Sequence, residues 1–111
     1  MNRSLILFSG FILAFLTIDI AHAAENQEAI KRGKEKIQMC IGCHGIDGWH
    51  TAFPRMYHVP RLNGQHEAYL KSALEAYKNG ERSHPTMRAI TASLSDQDIA
   101  DLAAYYASQK P

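Results

Sequence analysis

The chain of 111 residues holds two cysteines, and both stand in one run, Cys40-Ile41-Gly42-Cys43-His44. Thiols separated by two residues share one tight helical turn, where each can add to one of the two vinyl groups on the same edge of a porphyrin. A histidine directly after the second cysteine is then carried under the ring to bind iron as proximal ligand. Cys-x-x-Cys-His is for this reason the attachment pattern of a c-type haem. No other feature constrains the fold as much, because the chain must then build itself around one flat, covalently held cofactor.

Other readings of two cysteines fit the remaining residues less well. A thioredoxin-like redox pair wants strand-helix-strand flanks, whereas the flanks here read as helix and loop. A structural zinc site needs four protein ligands, and no second Cys-x-x-Cys exists. Cys40 and Cys43 therefore read as thioethers, not as a disulfide.

Residues 1–23 have the layout of a secretory leader. Arg3 supplies a positive start, Leu5 to Ile18 an apolar stretch, and Ala21-His22-Ala23 the small residues that precede a cleavage site. Cleavage after Ala23 is expected, leaving 24–111 as one domain; the alternative is a retained single-pass anchor. The apolar stretch is shorter than the ~20 residues a spanning helix needs, and Asp19 interrupts it. No membrane span is expected once the leader is gone.

The 88 residues that remain of the 111 make a small domain, and domains of that size usually need a staple such as a disulfide, a metal or a cofactor. Losing Arg3 and Asp19 with the leader keeps the formal charge at +1. A balance so close to neutral offers no basic patch for nucleic acid.

Three helices are expected. From Asn26 to Ile41, the residues Ile30, Gly33, Ile37, Cys40 and Ile41 fall on one helical stripe. Gly33 costs about 1 kcal/mol relative to alanine in a helix interior, which a close crossing by another helix would justify. The second helix runs from about Gln65 to Asn79, with Tyr69, Leu70, Ala73, Leu74 and Tyr77 on one face and Gly80 as its stop. The third starts at Ser95 as N-cap with Asp98 at N3 and Leu94 stapled against Ile99. Between the first two, Gly45 to Gly64 reads as a loop long enough to be suspicious in so small a domain unless it wraps something.

The order of these features resembles a class I cytochrome c, the small bacterial mono-haem type whose domain also occurs doubled in di-haem cytochromes. Gly33, the Cys-x-x-Cys-His run, Val59-Pro60-Arg61-Leu62-Asn63-Gly64-Gln65, Pro85-Thr86-Met87, Leu94-Ser95-Asp96 and Leu102-Ala103-Ala104-Tyr105-Tyr106 carry the resemblance. It implies an all-α cytochrome c fold wrapped around one covalent haem c. The first and last helices should cross with Gly33 against Tyr105 or Tyr106.

The resemblance also implies site residues. Met87 is expected to bind iron opposite His44, from a proline-containing loop after the second helix; Met39 and Met56 read as gap-fillers, with Met56 the main rival. His50, His58, His66 and His84 compete as imidazoles, and His84 is nearest to Met87 in sequence. Pro60 is expected to offer its carbonyl to the proximal His44. Arg55, Arg61, Trp49 and Tyr57 are donors that either face the haem propionates or sit as exposed loop residues.

Six-coordinate iron would leave no position for substrate, so the resemblance implies an electron-transfer protein and not an enzyme. The expected role is a soluble periplasmic one-electron carrier, docking transiently with redox proteins such as a quinol-oxidising complex and a terminal oxidase or reductase. The alternatives are the haem subunit of a larger oxidoreductase such as a flavocytochrome, and an open-site sensor or peroxidase.

Overall fold

The structure, a computed structural model, describes residues 3–52 and 56–111, with side chains described from Ile20 onward. Met1 and Asn2 of the expected leader and the candidate donor Arg55 lie outside the described residues. Among the described residues five helices follow one another: α1 (Arg3–Lys36), α2 (Gln38–His44), α3 (Glu67–Asn79), α4 (Pro85–Ala92) and α5 (Asp96–Ser108). Between α2 and α3, β1 (His50–Thr51) and β2 (Tyr57–His58) pair as a short antiparallel ribbon. Among the described residues no helix is long and apolar enough to cross a membrane.

The all-α class holds, and three boundaries differ from the sequence reading. The segment expected to be a leader and the first expected helix form one continuous helix, α1. The stripe expected to run unbroken to Ile41 is interrupted at Ile37, whose carbonyl accepts both the Cys40 N–H at 2.8 Å and the Ile41 N–H at 3.0 Å. The turn tightens there before α2 resumes. The third difference is α4, a helix where a loop was expected around Pro85-Thr86-Met87. Proline at the first helical position loses no hydrogen bond and has the helical φ already set, so Pro85 starts this helix.

Helix ends follow the chemistry of their residues. Ser95 and Asp98 form a complete capping box at the start of α5: Asp98 N–H donates to Ser95 Oγ at 3.1 Å, and Ser95 N–H donates to Asp98 Oδ2 at 2.9 Å. At the end of α3, Gly80 takes φ +82°, the left-handed conformation glycine adopts without steric cost. Its N–H donates to Tyr77 O at 3.2 Å and the Glu81 N–H to Ala76 O at 2.8 Å, the paired bonds of a Schellman stop.

The crossing of α1 and α5 organises the rest. A Cβ on Gly33 would lie 2.1 Å from the Asp101 carbonyl oxygen and 2.7 Å from Tyr105 Cβ, so the backbones touch where a side chain would stand. Tyr105 is therefore the aromatic at this contact. Beside it, Arg32 grips the fully buried Asp101 with two bonds of 2.8 Å, from Nε to Oδ2 and from Nη2 to Oδ1. Gln97 Nε2 adds a third at 2.8 Å, and Lys36 pairs with Asp98 one turn away. The apolar core that this crossing supports is small, with Leu70, Leu102, Ala103 and Tyr106 at its centre.

Candidate functional site

Helix α2 carries Cys40, Cys43 and His44 on its 7 residues. Its orientation is set by α1 before it and by the loop behind it, because His44 Nδ1 donates to the carbonyl of Pro60 at 2.7 Å. A carbonyl only accepts, so Nδ1 carries the proton and Nε2 keeps its lone pair. Proline has no N–H to compete for that carbonyl. The loop is fixed in turn, since the Gly64 N–H donates to Tyr106 O at 2.9 Å at the end of α5.

Cys40, Cys43 and His44 open onto a cleft of about 600 Å³. Leu70, Leu74, Ile90, Leu94 and Leu102 form much of its wall, and Met87 lines it too. Burial pushes the Cys40 thiol above its ordinary pKa, partly offset by the Tyr106 hydroxyl. That hydroxyl is itself buried and makes no hydrogen bond of good geometry. Burial, with Cys40 adding to it, raises the Tyr106 phenol well above its usual range.

Met87 sits at the third position of α4. Its N–H donates to His84 Nδ1 at 3.3 Å and its carbonyl accepts the Thr91 hydroxyl at 2.9 Å, so both ends of its peptide are held. His84 is thus spent as an N-cap, an unusual role for its residue type. Among the described residues that line the cleft, Met56 does not appear, and it is 79% exposed. Met39 does line it, with its side chain mostly in solvent.

The other candidates fall into distinct places. His50 and His58 face each other across the ribbon, and His66 is the exposed residue before α3. Arg61 and Tyr57 line the cleft, with Arg61 3.3 Å from the exposed Asp47. Trp49 is not among the described residues that line it.

This arrangement fits a covalently held haem. Two thiols and an imidazole with a free Nε2 stand at one apolar cleft with a thioether, and the unpartnered Tyr106 hydroxyl lies in its wall beside Cys40. What sequence reasoning missed is the Arg32–Asp101–Gln97 network that braces the crossing. Its trace was available, because Gln97, Asp101 and Tyr105 recur every four residues along α5 and so share a face.

Comparison with known proteins agrees with the geometry. The family described as Cytochrome c matches residues 30–110. Cytochrome c4 of Pseudomonas aeruginosa is 39% identical over 110 residues, covering 99% of this chain and 50% of that protein. Cytochrome c-554(548) of Halomonas halodenitrificans is 44% identical over 81 residues, covering 70% of this chain and 93% of that protein. A crystal structure of reduced recombinant cytochrome c4 from Pseudomonas stutzeri superposes with a TM-score of 0.61 at 27% identity, covering 76% of this chain and 50% of that one. The chain thus spans half the length of the cytochrome c4 proteins it matches and nearly all of the shorter relative.

Proposed function

Because the chain belongs to the cytochrome c family, we propose that it is a periplasmic one-electron carrier holding a single covalent haem c. Family membership implies the covalent haem. The observation that carries it is the convergence of Cys40, Cys43, His44 and Met87 on one cleft, with His44 already oriented by Pro60.

When bound, haem supplies an iron that exchanges one electron between its ferric and ferrous states. Cys40 and Cys43 would hold it as thioethers. The Nδ1–H bond to Pro60 fixes the His44 ring and increases the basicity of Nε2, the nitrogen offered to iron. Met87 offers a soft thioether, which favours the ferrous state relative to a second imidazole. Its position on a capped helix, with its peptide held at both ends, limits movement between oxidation states. Leu70, Leu94 and Leu102 exclude water from the cleft, which disfavours the more highly charged ferric centre. Arg61 and Tyr57 are the donors we assign to the propionates.

At the mouth, Met39, Tyr57 and Tyr69 present exposed apolar surface. Patches of this kind suit weak, transient docking of redox proteins, such as a quinol-oxidising complex on one side and a terminal oxidase or reductase on the other. Cleavage after Ala23, leaving 24–111 as the working domain, completes the reading.

An optical redox titration of the purified holoprotein tests it. The expected result is a one-electron curve with low-spin iron in both oxidation states. High-spin iron, or rapid binding of carbon monoxide to the reduced protein, would mean an open coordination position and would overturn the carrier reading. Tight co-purification with an oxidoreductase would favour the subunit reading instead.

A further inference from the structure

The ribbon between α2 and α3 carries an arrangement that electron transfer does not use. His50 lies directly opposite His58 in the antiparallel register. The Val59 N–H donates to Trp49 O at 2.9 Å, which puts Trp49 and Val59 at a hydrogen-bonding position of the ladder. Paired positions alternate in type along an antiparallel ladder, so His50 and His58 are the non-hydrogen-bonded pair. In such a pair the backbones approach most closely and both side chains stand on one face. Both histidines are exposed.

Their rings are 4.8 Å apart between centroids, at an interplanar angle of 79°. Two imidazoles on one ion each place a nitrogen about 2.0–2.1 Å from it and a ring centre about 1.1 Å further out. Two such rings stand about 4.5 Å apart at a right angle of coordination and about 5.2 Å apart at the tetrahedral angle. The observed spacing lies between these limits. We propose that His50 and His58 chelate a first-row divalent cation of the imidazole-preferring kind, Zn²⁺ or Cu²⁺, across the two strands of the ribbon.

Among the described residues no group of three or more His, Cys, Asp or Glu could hold a metal. The chelate is therefore two-coordinate from this chain, and water or a docking partner supplies the other ligands. That makes it weaker than a closed structural zinc site and suited to reversible occupancy. Its position gives it a consequence for the fold. The strands have only 2 residues each, and Thr51, Tyr57 and His58 line the cleft. An ion bridging the strands pins this wall in register.

The test is calorimetric titration of the untagged holoprotein with zinc chloride, paired with amide exchange at Val59. One equivalent should bind. His50→Gln and His58→Gln should each weaken binding by at least about tenfold, because the second bond of a chelate is intramolecular. His66→Gln should bind as the parent does. Zinc should slow exchange of the Val59 amide. Failure to bind zinc, binding that survives His50→Gln or His58→Gln, or binding that leaves Val59 exchange unchanged overturns the proposal. None of these outcomes depends on which residues ligate the haem.

Discussion

Replacing Gly33 by alanine sets two known effects against each other, and the structure decides their sign. In an exposed helix the change gains about 1 kcal/mol of propensity. Here the new methyl would stand 2.1 Å from the Asp101 carbonyl oxygen and 2.7 Å from the Asp101 carbonyl carbon. Both atoms are backbone, so neither can swing away. Ordinary contact requires α1 and α5 to separate by about 1.3 Å, forfeiting much of the dispersion along the crossing. Overpacking of this kind costs about 1–3 kcal/mol. The 2.8 Å bonds from Arg32 to Asp101 would stretch as well, and hydrogen bonds to charged groups contribute about 1.5–3 kcal/mol. Arginine can follow part of the movement, so the net expectation is a loss of about 2–4 kcal/mol. For a domain of this size that lowers the unfolding midpoint by about 10–20 °C. Gly42→Ala is the matched control, because nothing stands within 4 Å of its Cβ, and it should be neutral or stabilise by up to about 1 kcal/mol. Thermal unfolding of the ferric holoproteins, followed by far-ultraviolet circular dichroism, reads both. If Gly33→Ala melts at or above the parent, the helices do not cross as described.

Arg32→Met should lower the midpoint of denaturant titration, because it leaves the fully buried Asp101 carboxylate with the Gln97 amide as its remaining side-chain hydrogen-bond donor, and an unchanged midpoint would contradict the bracing role. Asp98 is held down to about 2 from its ordinary 3.8, chiefly by Lys36 and then by the Ser95 cap. A carboxylate depressed in the folded state stabilises above its unfolded pKa and loses that contribution as pH falls through the folded value. Asp98→Asn should therefore flatten the acid limb of the stability curve between about pH 4 and 2, and an unchanged limb would contradict the assignment. Met87→Ala should abolish the sulfur-to-iron absorption band and lower the reduction potential, whereas Met56→Ala should leave both as they are.

What could be read from sequence depended on whether the causes lie close together along the chain. The haem motif is contiguous because one helical turn must reach one porphyrin edge. The boundaries of α3 and α5 were legible from Gly80 and from the Ser95–Asp98 box, which act within one turn. Helix α4 is hard to read from sequence because a proline suits a loop as well as a first helical position and its cap is a histidine; at 8 residues it is also too short to hold without neighbours. The ribbon is set by pairing between His50 and His58 across a loop, and 2-residue strands leave no alternating pattern to detect. Arg32 and Asp101 are 69 residues apart, and each taken alone reads as an ordinary solvated charge.

That last pair bears on how the cleft gets its shape. A core centred on Leu70, Leu102, Ala103 and Tyr106 supplies attraction between helices but little preference for one angle, since apolar contacts are not directional. The angle matters, because Cys40 enters the cleft after α1 ends while Leu102 and Tyr106 form its wall from α5. A rotation at the crossing would carry the thiols and the wall apart. Two features at the crossing remove that freedom: Gly33 allows a backbone contact that any side chain would spoil, and the fork of Arg32 meets Asp101 in one orientation. A buried ion pair of this kind adds modest net stability once desolvation is counted. Its contribution is directional: it holds α1 against α5 at the one angle that brings both cysteines to the cleft.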